Sequence, residues 1–410
     1  MEDHRDFEKD RHRCVFFSSG PCPVSAVALM TFFVCTAWAG DLLNQSDAGC
    51  PSRRRPHFDR ALFLEKTSET SANVSIGDLT ASGHLDLVLA KGRHWPLVSR
   101  ILMNDGHGRF PIARDLSARP YRSYSAVSVD INGDGFPDVV LGNDAPDPKV
   151  VYLNDGKGNF RLGSSFGHPE WPTRNVAVAD LDRDGRPDII VANRFGKAGG
   201  SNYVCLNRGN GAFDADCVAF SHESATTIAP ADFNGDGFVD LAVPNRDGGQ
   251  SYVYINNHAA GFTKRIPFGP PDATIRVAVA ATLSGSGRMD IVTIDEQRGA
   301  FIYFNKADST FSEPVRLDAG KATPYALTAA DLNRDGNIDI VVGYVSAPSV
   351  VYFNDGKGHF TPVEFGDGKG AAYGIAVGDL DQDGWPDIAV ARSGAPNVAY
   401  FSSGVGHCGK

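Results

Sequence analysis

The stretch "DLDRDGRPDIIVAN", Asp180 to Asn193, decides the fold. It begins like a calcium-binding EF-hand loop, with acids at positions one, three and five and glycine at position six. An EF-hand would run on to a glutamate at position twelve and enter a helix. Here the closing acid is Asp188, at position nine, and Ile-Ile-Val-Ala follows. That composition is a strand, so the acidic loop lies between two strands.

The motif recurs along the chain. Full copies begin at Asp130 ("DINGDGFPD"), Asp180, Asp232 ("DFNGDGFVD"), Asp331 ("DLNRDGNID") and Asp379 ("DLDQDGWPD"). Worn copies begin at Asp78 ("DLTASGHLD") and Thr282 ("TLSGSGRMD"). Successive starts are 52, 50, 52, 50, 49 and 48 residues apart, so seven units of one kind tile the chain. A fixed period of this length marks a repeat architecture.

Each unit has the same grammar. A strand of small apolar residues ("NVAVA", "GIAVG") enters the acidic loop and a second ("DIIVAN", "DIVVGY") leaves it. A third ("VVYLN", "VVYFN") reaches a glycine-rich turn ("NDGKGNF", "NDGKGHF"), and a fourth starts at the Phe beyond. Asn-Asp-Gly chemistry tolerates positive φ and closes hairpins. Four antiparallel strands per unit, seven times over, predict an all-β, seven-bladed β-propeller. The seventh unit ends where its fourth strand should begin, while "HFDRALFLEK" (His57 to Lys66) precedes the first unit as an orphan fourth strand. The N-terminal strand is therefore expected to complete the last blade, and closure of the ring hides its sheet edges.

These residues resemble the integrin-alpha-like propellers built from FG-GAP repeats, also called VCBS repeats, whose loops read D-x-[DN]-x-[DN]-G-x-x-D. The stretch "SGAPNVAYF" (Ser393 to Phe401) retains the Gly-Ala-Pro element, and the resemblance runs from residue 58 to residue 408. It implies that each complete loop joins the first and second strands of a blade and binds one calcium ion.

The loop chemistry points the same way. Calcium takes six to eight oxygens, and side-chain oxygens at positions one, three, five and nine with a carbonyl at seven nearly supply them. The expected ligands are Asp130, Asn132, Asp134 and Asp138, then Asp180, Asp182, Asp184 and Asp188. They continue with Asp232, Asn234, Asp236 and Asp240, then Asp331, Asn333, Asp335 and Asp339, and end with Asp379, Asp381, Asp383 and Asp387. Five Ca2+ ions would set ten positive charges against a formal net charge of -10. Such closed, oxygen-saturated sites read as structural. The fifth unit keeps only Asp290 and is expected to hold no ion, while the first, with Asp78, Thr80, Ser82 and Asp86, is a weak site at best.

The chain is 410 residues long, and its 45 glycines and 24 prolines suit many short elements joined by tight turns. No basic face suggests nucleic acid, and no glycine-rich loop stands between a strand and a helix to hold a nucleotide. Residues 1–39, with the apolar run "VSAVALMTFFVCTAW" and "AWA" at Ala37 to Ala39, read as a signal peptide for export to the periplasm, cell surface or exterior. A membrane enters only if that leader stays uncleaved. Residues 40–57, with "SRRRP", read as a linker, and 58–410 as the propeller. The four cysteines beyond the leader suggest two disulfides in an oxidising compartment, Cys205 with Cys217 across one hairpin and Cys50 with Cys408 at the closure. Asn44 and Asn73 begin N-x-Ser sequons.

The repeats differ most on the face opposite the acidic loops. Arg93, His94, Trp95, Tyr124, Trp171, Arg174, Arg194, His222 and Arg246 fall there and suit stacking on sugars or holding an acidic glycan or peptide. The expected function is a secreted or cell-surface, calcium-stabilised binding or adhesion module for a glycan or protein. The alternative is a polysaccharide-acting enzyme of lyase type, which would need a His or Tyr beside an Arg in a deep axial pocket.

Overall fold

The computed structural model describes residues 56–403 apart from 214–216, 319 and 321. The leader, most of the linker, Asn44, Cys50 and Cys408 lie outside the described residues. Twenty-eight strands among these residues form seven four-stranded antiparallel sheets, one per repeat. We number the blades from the first acidic loop.

In blade 3 the strands are Thr173–Ala179, Asp188–Asn193, Asn202–Cys205 and Val218–Ser221, in that spatial order. The first strand of every blade packs against the first strands of its two neighbours, which places these strands around the axis. Crowding there explains their small residues. A Cβ on Gly374, in the first strand of blade 7, would come within 2.7 Å of the Asn73 Cα in blade 1. The second strands are covered on both faces, and Ile189, Ile190 and Val191 are 0% exposed. Each such side chain contributes roughly 1.5–3 kcal/mol of burial. Outer strands show the half-exposed pattern of a rim.

Seven apolar clusters of the described residues fill the seven seams between adjacent blades. The ring closes as the orphan strand predicts. His57–Phe63 pairs antiparallel with Val398–Ser403 and becomes the outer strand of blade 7. Phe58 then packs on Phe365 of blade 6, with ring centroids 5.3 Å apart. Cys205 and Cys217 are disulfide-bonded across the outer hairpin of blade 3, with Cα atoms 4.4 Å apart. No helix of the described residues is long and apolar enough to cross a membrane.

Two sequence expectations change character. The sequon residue Asn73 lies in an inner strand, where its Oδ1 accepts a hydrogen bond from the Ala126 N–H of blade 2. Asn73 is half-buried there, tied to the neighbouring blade rather than standing in a free surface loop. The Asn that opens each "NDGKG" turn also does more than close a hairpin.

Candidate functional site

The two ends of the ring are chemically different, because the first-to-second and third-to-fourth connections fall at one end and the others at the opposite end. The acidic loops form the first end. All seven, worn copies included, share one backbone: positions four and six have positive φ, as at Arg183 (59°) and Gly185 (83°) in blade 3 and Ala81 (50°) and Gly83 (80°) in blade 1. Glycine at six meets no steric cost there. In the full loops the position-one carboxylate accepts the N–H of position six, as Asp180 does from Gly185 at 3.0 Å.

Position nine is buried in every loop. Asp86, Asp138, Asp188, Asp240, Asp290, Asp339 and Asp387 are all 0% exposed. One oxygen of each accepts the N–H of position two and the other accepts the N–H of a residue at or within two positions of the end of the third strand. For Asp188 these donors are Leu181 at 2.9 Å and Asn207 at 2.9 Å. The pair repeats at Asp86 and Asp290, in the loops short of acids, with Leu79 and Asn104 and with Leu283 and Asn305 as donors. Position nine is therefore the one acid common to both worn loops, and it serves a backbone task. Burial pushes its carboxyl up to about 6 in Asp138, about 7 in Asp188, Asp240 and Asp339, and about 8 in Asp387.

Could these loops hold a cation? Carboxylate oxygens of Asp180, Asp182 and Asp188 lie within 4.8 Å of one another, and so do those of Asp379, Asp381 and Asp387. Asp379 Oδ1 is buried without a hydrogen-bond partner. Burial raises the Asp182 and Asp381 carboxyls, and the neighbouring Asp184 and Asp383 add to it. An orphaned buried oxygen among crowded carboxylates fits a hard divalent ion. Arginines already offset part of this charge, Arg60 pairing with Asp381 and Arg186 with Asp184. In blades 2, 4 and 6 position three is an amide, and Asn132, Asn234 and Asn333 each hydrogen-bond the position-five acid.

Behind the loops runs a ladder that the repeat grammar did not disclose. The Asn at the end of the third strand donates from Nδ2 both to its own blade and across the seam. Asn256 of blade 4 donates to Val239 O at 3.1 Å and to Leu181 O of blade 3 at 2.8 Å. Asn104, Asn154, Asn207, Asn305 and Asn354 repeat the cross-seam bond to Leu380, Leu79, Ile131, Phe233 and Leu283. Blade 7 carries Ser402 at this place, so the seam between blades 6 and 7 lacks the amide. The signal in the sequence was an Asn after six of the seven third strands.

At the opposite end the first strands open on a β-bulge. The ladder skips one residue at Tyr124, Arg174, Arg276, Tyr325 and Tyr373, in blades 2, 3, 5, 6 and 7. A bulge re-aims the extra side chain, and these five meet in one arc. Arg174 lies over the Tyr124 ring at 4.4 Å, Arg276 over Tyr325 at 3.6 Å, and Tyr325 meets Tyr373 edge-on at 4.9 Å. Arg93, from the turn after the second strand of blade 1, bridges the gap, 3.9 Å from the Tyr373 centroid and 5.5 Å from that of Tyr124. His94 stands beside it with a ring nitrogen 3.2 Å from the Tyr124 hydroxyl. Burial, then Arg93 and Arg174, lower the His94 pKa, and burial raises that of Tyr124.

The structure thus gathers Arg93, His94, Tyr124 and Arg174, and adds Arg276, Tyr325 and Tyr373. The other expected ligand-binding residues have partners of their own. Arg194 pairs with Asp247 and Arg246 with Glu296, each across a seam. Trp171 stacks on Tyr203 at 3.8 Å, and His222 is tied to Ser201 and Gly200. Trp95 stays 72% exposed.

The FG-GAP-like repeat family matches in five segments, residues 78–141, 130–191, 183–243, 283–342 and 335–390. Solved structures with a similar fold include a lectin from Agrocybe aegerita studied for specific recognition of non-reducing terminal N-acetylglucosamine. It is 21% identical, with a TM-score of 0.52, over 72% of this chain and 80% of that one. Another is BBS1N in complex with ARL6DN, soaked with lead, at 13% identity and a TM-score of 0.58, over 86% of this chain and 97% of that one. A search of curated proteins returns no match.

Proposed function

Because the chain belongs to the FG-GAP-like repeat family and closes as a seven-bladed ring, we propose that it is an exported, calcium-stiffened binding module for a glycan or protein. The observation that carries this reading is the contrast between the two ends. One end repeats a single hydrogen-bonded loop seven times, whereas the other spends its first-strand bulges on an arc of arginine and tyrosine beside an exposed indole. Uniform geometry suits a frame, and varied aromatic and cationic side chains suit recognition.

Calcium in this reading belongs to the frame. The ligands are the five full acid sets, and the bound ion neutralises carboxylates that otherwise repel at close quarters. The lectin and the BBS1N complex bind a sugar and a protein respectively, which supports a ligand-binding use of such a ring without naming the ligand here. Export rests on the leader read in the sequence.

The contact of Tyr124 with His94 beneath two arginines favours a second reading, a polysaccharide lyase. Burial raises the Tyr124 pKa, which works against a tyrosine base at neutral pH, so binding is preferred. A glycan and protein array probed with the full chain in calcium and in chelator tests both. Capture of a ligand that weakens in chelator supports the module, release of an unsaturated sugar from any polysaccharide transfers the reading to the lyase, and a blank array removes the binding claim.

A further inference from the structure

We propose that the Arg93 guanidinium, set between the Tyr124 and Tyr373 rings, receives the carboxylate of an acidic sugar residue, with the Trp95 indole as the platform for the sugar ring. This rests on the binding reading and names its ligand class.

Arg93 is unlike the other arginines of the arc. Arg174 pairs with Asp144, Arg194 with Asp247, and Arg246 and Arg276 share Glu296. Among the described residues no carboxylate pairs with Arg93, and its Nε is buried without a hydrogen-bond partner. Its neighbours are the faces of two tyrosines. Beyond its hydrogen bond with the Tyr124 side chain, the planar fork that suits a carboxylate is therefore committed to no acid.

The backbone is arranged to present it. Arg93 has φ 54°, a left-handed conformation that costs a residue with a Cβ roughly 1–2 kcal/mol. Its N–H donates to Ser123 O at 3.2 Å, and Leu97 bonds Tyr121 in both directions, so the turn is fastened to blade 2. Strain held by surrounding bonds concentrates at working sites.

Charge count and shape then select the ligand. Five arginines face three acids, Asp144, Asp247 and Glu296, and the cation with no acid is single. One carboxylate matches it better than a run of sulfates. An acidic peptide offers the same group, but an indole 72% exposed two residues along the turn favours a pyranose ring.

Isothermal titration calorimetry of the calcium-loaded chain with oligogalacturonate, its methyl ester, sialyllactose, inorganic sulfate and polyglutamate tests the assignment. We expect an acidic sugar to bind and the methyl ester to bind at least about tenfold more weakly. Arg93→Asn keeps a residue that tolerates positive φ, and it should lose at least about tenfold in affinity with an unchanged melting temperature. Arg93→Lys, which lacks the fork, should not restore it, and Arg109→Ala at the acidic-loop end should match the parent. If Arg93→Asn melts early, Trp95→Ala at the surface replaces it, with a loss of about threefold or more. Failure of both acidic sugars, equal binding by Arg93→Asn, or binding of polyglutamate or sulfate alone overturns the proposal. A ligand captured on the array and indifferent to Arg93 would remove this site while leaving the binding module in place.

Discussion

Asn256→Ala should destabilise the ring far more than its position at a turn suggests. The side chain is 1% exposed and makes three hydrogen bonds, to Leu181 O, to Val239 O and from the His258 N–H at 3.0 Å. At about 1 kcal/mol net for each, truncation costs about 3 kcal/mol, and two carbonyls are left unpaired inside a seam. For a folded unit of this size that is a fall of roughly 4 °C in melting temperature. Asn257, one residue on, is exposed and accepts one bond from Gly261 N at 3.0 Å, so Asn257→Ala should cost under about 1 kcal/mol. Urea unfolding followed by tryptophan fluorescence compares the two. Equal losses for both variants would refute the cross-seam role of the amide.

Three further outcomes follow from the loops and the hairpin. Asp290→Ala removes the acceptor of two buried N–H groups and should cost about 2–4 kcal/mol in denaturant, while leaving calcium-dependent stabilisation unchanged because that loop lacks the other acids. In chelator the raised carboxyls of Asp138, Asp188, Asp240, Asp339 and Asp387 bind protons that the unfolded chain releases near its ordinary carboxylate range. Their contribution is therefore full below about pH 4 and lost as pH rises through about 6 to 8, so metal-free melts should fall between pH 5 and 8 while the calcium-induced gain grows. A metal-free melting temperature that rises over that window would contradict the burial argument. Replacing Cys205 and Cys217 together with Ser opens a link of sequence separation 12 and should lower stability by up to about 3 kcal/mol, read from reduced and oxidised parent controls.

The fold was largely legible because its information is periodic. Seven motif starts, a strand missing at one end and spare at the other, and a cysteine pair across a hairpin each have a local sequence sign. The site was legible only in part, for physical reasons that differ by residue. Tyr124 and Arg93 stood out as an aromatic and a cation in variable turns, but Arg276, Tyr325 and Tyr373 lie within strands where period-two reasoning assigns a face, and a bulge overrides that period. Partners such as Glu296 for Arg246 lie 50 residues apart, one repeat away, so nothing local announces them. The Asn ladder was hidden for another reason. Asn154 accepts the N–H of Gly156 in its own turn, which explains its presence locally and masks the bond to Leu79 in the preceding blade. Position nine was similar, its calcium chemistry obscuring a backbone duty that the worn loops isolate.

The closing strand also sets a clock. His57 pairs with Ser403, so the first strand of the fold to leave the ribosome waits for almost the last. At 5–20 residues per second that interval is about 20–70 s. Throughout it the future edges of blade 7 are unpaired, and the seam it must form with blade 6 is the one without the cross-seam Asn. Each blade can collapse on its neighbour as it emerges, but the circle cannot lock until Val398–Ser403 has been made. Nascent chains stalled before residue 398 should therefore remain protease-sensitive in their N-terminal strand, however well the central blades are formed.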